Sequence, residues 1–93
     1  MPLRFAWDAR KAAANLRKHG VTFGEAATAF ADPHSITIPD PDHSDDEDRF
    51  VTIGRTRKQL LVVAAHVERG EITRIINARL AGRWERRRYE EGD

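Results

Sequence analysis

Residues 60–79, LLVVAAHVERGEITRIINAR, decide the fold. Leu60–Val67 and Ile72–Arg79 are rich in β-branched and aliphatic residues, and Glu68-Arg69-Gly70-Glu71 between them places glycine where a primed hairpin turn needs positive φ. With Arg69-Gly70 as the two-residue turn, Val67 pairs with Ile72, His66 with Thr73, Ala64 with Ile75, Val62 with Asn77 and Leu60 with Arg79. That register predicts His66, Thr73, Asn77 and Arg79 on one face, among Leu60, Val62, Ala64 and Ile75. The opposite face carries Leu61, Val63, Ala65, Val67, Ile72, Ile76 and Ala78, interrupted only by Arg74. Its larger unbroken apolar area makes it the expected core side, at about 25 cal/mol per Å² removed from water. Arg74 then either ends the core face or signals a register wrong by one.

Outward from the hairpin, Asp8 is an N-cap for a helix over Ala9–His19, and Gly20 fits its left-handed C-terminal position. Thr22-Phe23-Gly24-Glu25 reads as a capping box that opens a second helix from Phe23 to about Phe30, stopped by Asp32-Pro33. Ser35–Ile38 and Arg49–Gly54 read as strands, and Arg55–Gln59 as a basic turn. Asp40–Asp48, DPDHSDDED, has no apolar residue to anchor it and is expected to be a mobile loop. A last helix, Arg83–Glu91, closes the chain. The order predicts an α+β fold with two N-terminal helices, a four-stranded, mainly antiparallel sheet and a C-terminal helix, with helices covering one sheet face.

Ninety-three residues suit one domain, 1–93, with one core. The absence of cysteine excludes disulfides and thiolate metal sites. No apolar run approaches the roughly 20 residues of a membrane span, and MPLRFAWDARK lacks a signal-peptide core, so a cytoplasmic protein with no membrane partner is expected. The net charge of +1 conceals segregation: residues 31–54 hold seven acids and one Arg, whereas 55–89 hold ten Lys/Arg and three acids. Such a basic half suits a polyanion, beside an acidic loop that repels it or engages a basic partner.

Phosphate-cradling glycine loops, GxSxG elbows and HExxH pairs are absent, and the acidic loop lacks the spacing of a calcium-binding loop. Neither a metal nor another cofactor is expected. Cleaving RNA without a metal needs a base for the ribose 2′-OH, a fixed cation for the phosphorane oxygens and an acid for the leaving 5′ oxygen. Imidazole and guanidinium suit these tasks, because His exchanges protons near neutrality and Arg offers a planar charged fork. A lone His near the end of a buried-type strand is otherwise a hydrogen-bonded structural residue. Lys11, Lys18 and His19 fall along the first helix, either relieving its dipole or forming a phosphate-contacting edge. Trp7 and Trp84 read as core or helix-docking residues, or as base-stacking platforms if exposed.

The chain resembles the BrnT toxins of bacterial type II toxin–antitoxin pairs. The resemblance runs through Phe5-x-Trp7-Asp8, Lys11, Asn15, Lys18-His19-Gly20-Val21-x-Phe23-x-Glu25-Ala26, Asp32-Pro33, Asp42-His43, Glu47-x-Arg49, Ile53-Gly54 and Leu61-Val62-Val63. It continues through His66, Arg69, Arg74-Ile75-Ile76-x-Ala78-Arg79 and Glu85-Arg86-x-x-Tyr89. It implies a RelE-like ribonuclease fold that cuts RNA, slows translation and is neutralised by a BrnA-like antitoxin similar to ribbon-helix-helix DNA-binding dimers. The implied assembly is a heterotetramer that meets operator DNA only through the antitoxin. Asn77 stands where the family usually has Ser, and Gly82 where a capping Thr is common.

These observations together point to a metal-independent endoribonuclease toxin. His66 is the expected general acid/base and Arg79 the stabiliser of the transition-state phosphate, with Arg74 assisting. Arg49 and Arg69 are expected to bind phosphate, and Lys18 and His19 to hold flanking RNA. The competing class is a non-enzymatic protein that docks a partner through its sheet face.

Overall fold

The computed structural model describes residues 3–40 and 48–92. Most of the Asp40–Asp48 loop, and the expectation of mobility attached to it, lies outside the described residues. Helix α1, Ala9–His19, begins where the Asp8 side chain accepts from the N–H groups of Arg10 and Lys11 at 2.8 and 3.1 Å, and ends at Gly20, φ 72°. Thr22 Oγ1 accepts from the Glu25 N–H at 2.9 Å and opens α2, Phe23–Thr28. The Glu25 carboxylate turns instead toward the Lys58 N–H, 3.4 Å away. Ahead of Asp32-Pro33 the predicted end of this helix tightens into a 3-10 turn, Ala29–Ala31.

The sheet has five strands rather than four and is mixed rather than wholly antiparallel. Its strands are β1 (Arg4–Ala6), β2 (Ile36–Pro39), β3 (Arg49–Arg55), β4 (Leu61–Arg69) and β5 (Ile72–Leu80), in the order β1-β5-β4-β3-β2. The added strand, β1, lies parallel to β5, with Arg4 opposite Ile72 and Ala6 opposite Arg74. Helix α3, Arg83–Glu91, follows β5. Its N-terminus has half a capping box, in which the Glu85 carboxylate accepts the Gly82 N–H at 2.6 Å.

The hairpin forms, but in a different register. Arg69 pairs with Ile72, so Gly70-Glu71 is the turn, and Gly70 takes φ 62°. His66 faces Ile75 and Ala65 faces Asn77, leaving Ile76 as an extra residue in a bulge. A bulge changes which side later residues face. His66 and Thr73 therefore lie on one face, and Asn77 and Arg79 on the other.

The helix-covered side is also the reverse of the expected one. Val62, Ala64, Ile75 and Ala78 pack with Val21, Phe23, Ala26 and Ala29 beneath α1 and α2. On the opposite face Ile53, Leu61 and Val63 pack with Val51, Ala81 and Tyr89 at the root and end of α3. Apolar area did not discriminate between the faces because every residue from Leu61 to Val67 is buried. The helices approach the side with small residues: a Cβ on Gly54 would lie 2.8 Å from the Ala29 carbonyl oxygen. Asn15 then joins α1 to β5. Its amide donates to the Val21 and Ala78 carbonyls at 3.0 and 2.8 Å, and its oxygen accepts the Ala78 N–H at 3.0 Å.

Candidate nucleic-acid interface

His66 sits inside the helix-covered layer, 2% exposed. Its Nδ1 lies 2.6 Å from Glu68 Oε2 and its Nε2 lies 2.8 Å from Thr52 Oγ1, which in turn is 2.7 Å from Thr37 Oγ1. The Thr73 hydroxyl donates to the other Glu68 oxygen at 2.8 Å. The Phe30 ring meets the imidazole edge-on at 4.9 Å, and Phe50 stacks at 6.0 Å. Burial pushes the His66 pKa below its ordinary value, and the Glu68 carboxylate pulls it only partly back. Both ring nitrogens are engaged, the ring is buried against Phe30 and Phe50, and Arg79 lies on the other face of the sheet. This corrects the one-face arrangement of His66, Thr73, Asn77 and Arg79.

The other face gathers the arginines. Arg49 on β3, Val67 on β4 and Arg74 on β5 form one row across the sheet, with Arg69 opposite Ile72 in the next row toward the turn. Asn77 opposite Ala65 and Arg79 opposite Val63 continue that face toward α3. Arg49 and Arg74 have no ion pair among the described residues. Arg79 Nη2 lies 2.9 Å from Glu85 Oε2 and Nη1 lies 3.3 Å from Oε1, a two-point pair that holds the Glu85 carboxyl below its ordinary pKa. Sequence reasoning missed Glu85 as the partner of Arg79. The only signal was an acid at the third position of α3, where a capping role alone explains it.

The same face turns into a cleft at the free edge of β5. β1 ends opposite Arg74, and beyond it α1 runs alongside β5 instead of another strand. A cavity of about 420 Å³ there is lined by Lys11, Ala14, Asn15, Lys18, His19, Ile76, Asn77 and Arg79. Lys18 and His19 thus join Arg79, as Arg49 and Arg69 join Arg74, while His66 joins none of them. At the opposite end Tyr89 of α3 donates its hydroxyl to Asp32 Oδ2 at 2.7 Å, and the same oxygen accepts the Arg55 N–H at 2.8 Å. Burial alone would raise the Asp32 pKa, but the donors from Arg55, Tyr89 and His34 outweigh it and hold it low. Among the described residues no group of three or more His, Asp or Glu side chains is arranged to hold a metal ion, and no helix is long and apolar enough to cross a membrane.

An α+β fold with α1 and α2 on one sheet face and arginines beside α3 on the other defines a class of small proteins whose arginine-bearing surface has the chemistry of a polyanion site. Residues 7–85 match the family described as ribonuclease toxin, BrnT, of type II toxin–antitoxin systems, and the chain belongs to that family. The crystal structure of the Brucella abortus ribonuclease toxin, BrnT, superposes with a TM-score of 0.67 at 20% identity, covering 88% of this chain and 100% of that one. The α+β fold is therefore shared. Comparison with curated proteins returned no match.

Proposed function

We propose that this chain is an endoribonuclease toxin that holds single-stranded RNA along the arginine-bearing sheet face and cuts it by 2′-OH attack, without a metal. One observation carries this: Arg49, Arg69, Arg74 and Arg79, from three adjacent strands, share the face that α1 and α2 leave uncovered. Guanidinium groups spaced by strand separation can follow a phosphate backbone, and they remain charged at every physiological pH. Family membership supports the choice of RNA and an antitoxin partner. That partner would be a BrnA-like, ribbon-helix-helix protein that forms a heterotetramer with the toxin and contacts operator DNA itself. Cleavage of cellular RNA would slow translation in the cytoplasm.

The purified chain, incubated with end-labelled single-stranded RNA in EDTA, should produce fragments ending in 2′,3′-cyclic phosphate. The Arg74→Ala/Arg79→Ala double variant should lose most of this activity, roughly 10²-fold or more. Retention of intact RNA without cleavage would reduce the protein to a docking module.

A further inference from the structure

The cleft between α1 and β5 gathers an imidazole, that of His19, with three cations, Lys11, Lys18 and Arg79. Lys11, Ala14, Asn15 and Lys18 recur at helical spacing on one side of α1, and Ile76, Asn77 and Arg79 of β5 line the same cavity at the sheet edge. His19 adjoins this row at the end of the helix, half-buried, and its ring has no hydrogen-bond partner among the described residues. No carboxylate lines the cavity. Its volume of about 420 Å³ lies within the range of small-ligand clefts, roughly 300–1,000 Å³.

The walls are fixed. Asn15 donates to the Val21 and Ala78 carbonyls and accepts the Ala78 N–H, which ties α1 to β5. The bulge at Ile76 turns Asn77 and Arg79 away from the helix-covered face, and Glu85 holds the Arg79 guanidinium from behind at two points. Ala14 adds little bulk at the floor.

We infer that this cleft is the reaction centre: Lys11, Lys18 and Arg79 hold one phosphodiester of single-stranded RNA, and His19, not His66, takes the proton of the adjoining ribose 2′-hydroxyl. This rests on the RNA-cleaving function proposed above. The 2′ oxygen attacks phosphorus as its proton passes to neutral imidazole, and the bond from phosphorus to the 5′ oxygen breaks. A 2′,3′-cyclic phosphate and a 5′-hydroxyl result. The cleft is open to solvent, so the departing 5′ oxygen takes a proton from water, and His19 returns its own to the hydroxide that remains. The surrounding cations stabilise the charge that builds on the non-bridging oxygens.

Single-turnover cleavage of a labelled single-stranded RNA in EDTA and a separate measurement of RNA retention test this on the parent, His19→Ala and His19→Gln. Both variants should cleave about 10²-fold or more slowly, while retaining RNA within about threefold of the parent. Variants that cleave within about threefold of the parent would overturn this assignment and leave the ribonuclease function standing. A parent that neither cleaves nor retains RNA would overturn both.

Discussion

Ile76 decides which side chains can act together. As the extra residue of a bulge it turns Asn77 and Arg79 away from His66, whereas an unbroken period of two places all three on one face. Nothing in ITRIINAR marks the bulge, since bulged and regular strands share the same β-branched composition. The role of His66 was legible only as a lone His in an apolar strand, and its partner Glu68, two residues on, was spent in sequence terms on the turn. The structure makes His66 part of a polar chain from Thr37 to Thr73. Its folded pKa lies below the unfolded value of about 6.5, so the unfolded chain binds the proton first as pH falls. The stability associated with neutral His66 is full above that pH and is lost as acid titrates the unfolded chain. Thermal unfolding between about pH 8 and 5 should thus show a steeper acid loss in the parent than in His66→Gln. Parallel curves would refute the burial of neutral imidazole.

At the scale of elements, what the sequence states locally came through and what depends on distant pairing did not. Asp8, Gly20, Thr22 and Pro33 punctuate α1 and α2 because capping is a matter of adjacent residues. β1 was invisible: three residues show no alternation, and their partner strand lies at the other end of the chain. Asn15 is the other non-local element, an amide on a helix doing the work of a missing strand at the edge of β5. Replacing it by Ala would leave the Ala78 N–H and carbonyl buried without their partner, at about 1–3 kcal/mol for each unpaired group. Denaturant unfolding of Asn15→Ala should show a loss of at least about 2 kcal/mol, together with weaker RNA retention as the cleft widens. A change under about 0.5 kcal/mol would mean that α1 is held to β5 by apolar packing alone.

Across the whole molecule, charge segregation was read correctly from the sequence, because ten Lys/Arg between residues 55 and 89 cannot all be neutralised by three acids. Which face they occupy was not legible, since β4 is buried on both sides and the hydrophobic pattern is ambiguous there. The fold places α1 and α2 over Val62, Ala64 and Ile75 and leaves Arg49 and Arg74 on the other side. The lysines of α1 then extend that surface around the edge of β5. The most direct test is the salt dependence of binding to a single-stranded RNA, comparing the parent with the Arg49→Ala/Arg74→Ala double variant. Each phosphate contact on a single strand contributes about −0.7 to the slope of log affinity against log salt, so the double variant should be shallower by about 1.4 and bind more weakly at low salt. An unchanged slope and affinity would show that RNA does not lie on this face.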